Sequence, residues 1–273
     1  MDRSRICKVD RQESARRRLA QETVQTQIAT GTAACAISRT LYAREVGGYI
    51  NLLHMPAPRE FSDLTQDPQV RGYLHTPDHS NGAALALTHG AGGNAQAPLL
   101  IALAETFSAA GFTVLRFNLP YRQARPYGPP SPATAERDRA GIKNAIAALR
   151  KQVTGNIYLG GQSYGGRQCS MLCAEEPGLV SGLLLTSYPL HPPGKPQQQR
   201  TQHLPNLRTP TLFVHGTTDP FASSAEMQQA IKMIPAKTSL LEVENAGHDL
   251  GFKGKTKREE LPQQIYSEFA KLL

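Results

Sequence analysis

From Val70 onward the apolar positions follow two repeats: short continuous runs that read as buried strands, and stretches with apolar residues three and four apart, the helical period. Val70 to His75 predicts a strand, Asn81-Gly82 a turn, and Ala83 to Thr88 a second, buried strand. Pro98 to Ala110 carries Leu99, Leu100, Leu103 and Phe107 on one helical face and stops at Gly111. Phe112 to Asn118 is the next strand. A loop rich in Pro, Arg and Tyr, Leu119 to Pro130, leads to Ser131-Pro132, which cap and open a helix striped with Ile142, Ala145, Ile146 and Leu149. Asn156 to Leu159 predicts a strand, and Arg167 to Glu176 a helix stopped by Pro177-Gly178. Leu179 to Thr186, Pro210 to His215 and Thr238 to Val243 are further strands. Between the first two lies an irregular excursion, Tyr188 to Arg208; after the second, Ser223 and Glu226 form a capping box for a helix with Met227, Ile231 and Ile234. Leu261, Ile265, Phe269 and Leu272 stripe the closing helix. Alternating strands and helices imply a mostly parallel central sheet with helices on both faces.

Residues 1–60 differ. They show no sustained strand or amphipathic period apart from a helix near Glu13 to Ile28, and read as a poorly ordered N-terminal extension to a domain spanning 61–273. Met55, just before Pro56-Ala57-Pro58, is an alternative translation start. The net charge of +8 adds little about partners: residues 1–60 contribute +4 and the rest another +4, with no basic helix interleaved with aromatics, so nucleic-acid binding is not expected. No run approaches the length of a membrane helix. Cys7, Cys35, Cys169 and Cys173 make no metal pattern; Cys169 and Cys173, four apart, read as small buried residues, and a cytoplasmic, reducing location follows.

Chemistry concentrates where the predicted strands end, which is where ligands bind in such sheets. Gly161-Gln162-Ser163-Tyr164-Gly165 stands between a strand and a helix, the pattern of a sharp turn that exposes a nucleophilic serine. A serine hydroxyl needs a base to take its proton, and the base needs a carboxylate to fix its tautomer. Asp219, after the Pro210 strand, and His248, after the Thr238 strand, supply them in the chain order Ser, Asp, His. Asp249 and Glu244 are rival partners for His248, while His89, His215, His191 and His203 are rival bases. His89-Gly90-Ala91-Gly92-Gly93-Asn94 can present bare backbone N–H groups to a developing oxyanion; Tyr164 is one expected donor and Ala91 or Gly92 the other.

From about Val70 to its end the chain resembles the α/β-hydrolase branch of the testis-expressed-30-like proteins and a histone acetyltransferase complex regulatory subunit. It is more distantly similar to dienelactone hydrolases. The resemblance is carried by His89-Gly90-Ala91-Gly92-Gly93, Leu115-Arg116-Phe117-Asn118 with Pro120-Tyr121-Arg122, and Ser163 with Gly165-Gly166-Arg167. Tyr188-Pro189-Leu190-His191-Pro192-Pro193-Gly194-Lys195 and Gly216-Thr217-Thr218-Asp219-Pro220-Phe221 complete it. It implies an α/β-hydrolase fold without a large lid domain, and a triad at Ser163, Asp219 and His248. The sequence departs from it at Gln162 and Tyr164, where relatives carry a basic residue and methionine.

The expected activity is serine hydrolysis of a small carboxylic ester, with a thioesterase, a small peptidase or a non-catalytic interaction module as alternatives. The partner is then a small-molecule acyl substrate, with neither membrane nor nucleic acid; no metal or organic cofactor is called for, and the oligomeric state is not legible. Arg122, Arg167 and His191 are the expected substrate-binding side chains. Together with Arg125, Lys195, Arg200 and His203 they either hold an anionic group such as a carboxylate or form a solvated basic rim, the reading the composition favours.

Overall fold

The apolar runs assemble into one eight-stranded sheet in the order β1-β2-β4-β3-β5-β6-β7-β8. Its strands are β1 (Arg59–Asp63), β2 (Val70–His75), β3 (Ala84–Thr88), β4 (Thr113–Phe117), β5 (Ile157–Gln162), β6 (Gly182–Thr186), β7 (Thr211–Gly216) and β8 (Thr238–Val243). The structure is a computed structural model and describes residues 56–252 and 258–272. The expected helix at Glu13 to Ile28 and the Met55 start lie outside those residues. β1 pairs antiparallel with β2 and β2 with β4; every other pairing is parallel.

Each residue of β3, β4, β6 and β7 is buried, as strands covered on both faces require. One face carries α3 (Ala135–Arg150) and α4 (Tyr164–Glu175), whose Ile142, Ile146, Leu149, Cys169 and Leu172 pack with Leu115, Leu159 and Leu183. The other carries α1 (Pro98–Ala109) and α6 (Leu261–Leu272), whose Leu99, Leu103, Phe107, Ile265 and Phe269 pack with Leu85, Val114 and Tyr158. Phe107 is the hub of that layer, edge-on to Phe112, Tyr266 and Phe269 at centroid distances of 5.4, 5.3 and 5.7 Å.

Four local expectations need correction. β1 spans the edge expected at residue 60; its sequence carries a single large apolar residue, Phe61, because an edge strand buries little. The helix after Ser163 begins at Tyr164 rather than Arg167, since the Gly165-Gly166 pair that weakens its helical signal is required by packing. The loop at Leu119 opens with a short helix, α2 (Pro120–Ala124). Ser131 caps a 3-10 turn, Pro132–Thr134, through the Ala133 N–H, and α3 follows it. The box at Ser223 is present and starts α5 (Ser224–Ile231). Among the described residues no helix is long and apolar enough to cross a membrane.

Phe107 touches three rings and is fully buried. Phe107→Ala is expected to cost about 3–5 kcal/mol, read as a lowered urea-unfolding midpoint.

Candidate active site

Ser163 sits between β5 and α4 with φ 51° and ψ −117°, a conformation that L-residues rarely hold. The turn closes because its neighbours lack side chains. A Cβ on Gly161 would stand 2.5 Å from Gly166 N, and one on Gly165 2.5 Å from the His89 carbonyl oxygen. The Ser163 N–H donates to the Thr186 carbonyl at 2.9 Å, tying the turn to the end of β6.

Two loops at the same edge of the sheet bring the remaining polar groups. His248 Nε2 lies 2.8 Å from Ser163 Oγ, and His248 Nδ1 lies 2.8 Å from Asp219 Oδ2. Asp219 is buried and accepts at Oδ1 from the Phe221 N–H (2.9 Å), which orients the carboxylate. Because Nδ1 faces a carboxylate it carries the proton, leaving Nε2 to accept from the serine. The Phe221 ring covers the imidazole, with centroids 4.2 Å apart. Such a chain can draw the proton from Ser163 and stabilise the imidazolium that results. Of the three candidate acids, Asp219 is the one hydrogen-bonded to His248 Nδ1.

The rival histidines stand elsewhere. His215 is buried within β7. His203 Nε2 bonds Ser170 Oγ and Tyr188 Oη at 2.8 and 3.0 Å. His191 faces the Pro192 carbonyl (2.8 Å) and Glu226 (3.4 Å). His89 shapes the glycine loop: its Nε2 accepts from the Leu119 N–H (3.1 Å), so the proton is on Nδ1, which donates to the Gly90 carbonyl (2.9 Å).

That loop has its carbonyls tied from behind. Tyr121 Oη shares its proton between the oxygens of Gly90 (3.2 Å) and Ala91 (2.9 Å). Arg122 donates to Ala91, Gly93, Arg125 and Gly128. Asn118 Oδ1 accepts from the Ala95 N–H (2.7 Å), and Arg116, held by His75 Nε2 (2.9 Å), donates to the Ala95 carbonyl. With Gly90 to Gly93 held this way, the Ala91 and Gly92 N–H groups have no protein acceptor among the described residues. Tyr164, at the first helical position, has no helical acceptor for its own. A Cβ on Gly90 would approach Ser163 Cβ to 3.2 Å, so the loop lies against the serine. Beside it opens a cleft of about 340 Å³ lined by Ala91, Gly92, Arg122, Tyr127 and Pro129.

Two of the expected substrate-binding residues make bonds within the scaffold, and Arg122 also lines the cleft. Arg122 is buried and spends its N–H groups on four backbone carbonyls, and His191 is buried between Pro192 and Glu226. Arg167 is half-buried on α4, one turn after Ser163. Sequence reasoning missed Tyr121, Arg116 and Asn118 as supports, although they belong to the motifs that carry the resemblance. It also missed Asp138, fully buried in α3, whose carboxylate accepts from Tyr164 Oη (2.8 Å) and the Tyr121 N–H (3.0 Å). Burial holds the pKa of Asp138 above the usual carboxylate range against those hydrogen bonds. A carboxylate one turn before Ile142, on the same face as the apolar stripe, was the available signal.

A family profile described as an alpha/beta hydrolase domain matches residues 81–272. Among solved structures, the chain is similar to a dienelactone hydrolase from Anabaena variabilis, with 20% identity, coverage of 79% of this chain and 97% of that one, and a TM-score of 0.62. An alpha-beta serine hydrolase homologue from Coxiella burnetii gives 14% identity, 79% and 98% coverage, and 0.61. A serine hydrolase without a lid from Xanthomonas campestris gives 15%, 81% and 97%, and 0.57. At such identities the shared property is the fold.

Burial pushes the pKa values of His75, His89 and His203 down to about 4, with nearby arginine charge adding to the effect. In the unfolded chain these rings protonate near pH 6.5. Between about 6.5 and 4 the unfolded state therefore binds more protons, and stability falls as pH falls through that window and levels below it. The urea midpoint is expected to be lower at pH 4.5 than at pH 7.5, with the His89 imidazole resonances not titrating until about pH 4.

Proposed function

The chain belongs to the alpha/beta hydrolase family, and from that premise we propose that it is a serine hydrolase cleaving a carboxylic ester of a small substrate through an acyl-enzyme on Ser163. The observation that carries the reading is the series of two 2.8 Å hydrogen bonds from Ser163 through His248 to Asp219. Ser163 Oγ attacks the ester carbonyl while His248 Nε2 takes its proton, and Asp219 stabilises the imidazolium. The oxyanion is received by the Tyr164 N–H and that of Ala91 or Gly92. Collapse expels the alcohol, which leaves with the proton from His248. Water, deprotonated by His248, then attacks the acyl carbon, and the acid departs as Ser163 regains its proton.

Two features support a small substrate: the open cleft beside the glycine loop, and the absence of an inserted domain over the site among the described residues. The same machinery serves thioesters and amides, so an acyl panel ranks these classes. Within the family we place the chain in the testis-expressed-30-like branch, on the His89, Pro120-Tyr121-Arg122 and Tyr188-Pro189-Leu190 motifs. Cys169 and Cys173, both buried free thiols, fit a reducing compartment, and we assign the protein to the cytoplasm.

A fluorophosphonate probe is expected to label the full chain, and labelling should vanish in Ser163→Ala and His248→Ala. No labelling of well-folded wild type would favour an interaction module over an enzyme. Asp219→Asn should lower kcat on the order of 10³–10⁴-fold, because the wrong tautomer of His248 is then held. Arg122→Gln frees the loop carbonyls; kcat is expected to fall on the order of 10²-fold for acidic and neutral esters alike. Selective loss on acidic esters would instead restore Arg122 as a substrate ligand.

A further inference from the structure

Beyond the triad lies a cationic cluster that the reaction does not use. Arg167 is one turn along α4 from the nucleophile, its N–H bonded to the Ser163 carbonyl at 2.9 Å. Helical side chains lean toward the N-terminus, so a guanidinium at this position can reach back toward the serine end. Arg200 comes from the excursion after β6, held where its N–H meets the Leu190 carbonyl (2.7 Å). That excursion borders the base: the His191 N–H donates to the Phe221 carbonyl (3.1 Å), and Phe221 covers His248. Ser170 Oγ, Tyr188 Oη and His203 Nε2, mutually bonded at 2.8 to 3.0 Å, form the neutral floor.

The two arginines lack counterions. Neither pairs with a carboxylate among the described residues, and Arg167 Nε is buried without a hydrogen-bond partner. Both are half-buried. Desolvation and then the Arg167 charge hold the Arg200 pKa below its ordinary value, and the same two causes keep His203 neutral. Like charges drawn together out of water are unfavourable unless an anion joins them.

Resting on the Ser163 reading, we propose that Arg167 and Arg200 form a subsite for an anionic group, a carboxylate or a phosphoryl group, carried by the ester substrate. Planar guanidinium groups bind either anion through paired hydrogen bonds. The subsite makes the preferred substrates half-esters, with a second acidic group held while the ester carbonyl reaches Ser163.

The test compares mono-p-nitrophenyl succinate with p-nitrophenyl butyrate on the full chain. Wild type should favour the anionic ester. In Arg200→Gln the ratio of the two kcat/KM values should fall on the order of tenfold, through KM, as expected for loss of a charge-assisted hydrogen bond. Arg200→Lys should restore part of the ratio, and Arg208→Gln, which removes an exposed charge from the same segment, should leave it unchanged. Equal loss on both esters in Arg200→Gln, or no preference in wild type, overturns the proposal. A second measurement separates its fate from that of the enzyme reading: succinate and inorganic phosphate should each be tried as thermal stabilisers of Ser163→Ala. Stabilisation that disappears with Arg200→Gln supports the subsite even if no ester is turned over, and the stronger stabiliser identifies the anion. No stabilisation by either anion counts against it.

Discussion

Between β5 and α4 the backbone reverses so tightly that a serine is held at positive φ, a conformation costing on the order of 1–3 kcal/mol. The strain persists because the flanking structure over-determines it. β5 is paired on both sides, with β3 and β6, and the Ser163 N–H is bonded to the end of β6. Glycines at 161 and 165 let backbone touch backbone where any larger residue would force the layers apart. Once the serine is fixed there, the ends of β7 and β8 are the places from which an acid and a base can reach it, and both come from those ends.

The glycine loop shows the same logic with polarity reversed. A loop that offers N–H groups to one side must satisfy its carbonyls on the other, or bury them at a cost of about 1–3 kcal/mol each. Tyr121, Arg122 and His89 meet that requirement, and Arg116 with Asn118 hold the next turn. This explains why a buried arginine beside the site spends its N–H groups on backbone carbonyls. Asp138 joins the two halves, since one carboxylate holds both the Tyr121 backbone and the Tyr164 hydroxyl.

Seven of the eight strands were legible from their apolar runs, most plainly β3, β4, β6 and β7, which are buried throughout; β1, an exposed edge, leaves only Phe61 as a mark. Ser163, Asp219 and His248 were legible because each follows directly on such a run. The supports were not. Arg122 and His191 carry the residue types of ligand-binding groups, and the scaffold bonds they make depend on side-chain direction, which residue spacing does not encode. Asp138 was hidden by its helix, where periodicity assigns a face but not a partner.

Acid and base stand on unequal ground. Asp219 follows β7, an interior strand with a neighbour on each side, whereas His248 follows β8, the sheet's outer strand, most of whose residues are only half-buried. Edge strands open at lower free energy than the strands inside them. A separation of β8 from β7 would part His248 from Ser163 without breaking the pairing of β5 with β3 and β6. The imidazole is thereby tied to an outer strand of the sheet, whereas Ser163 and Asp219 are tied to interior ones.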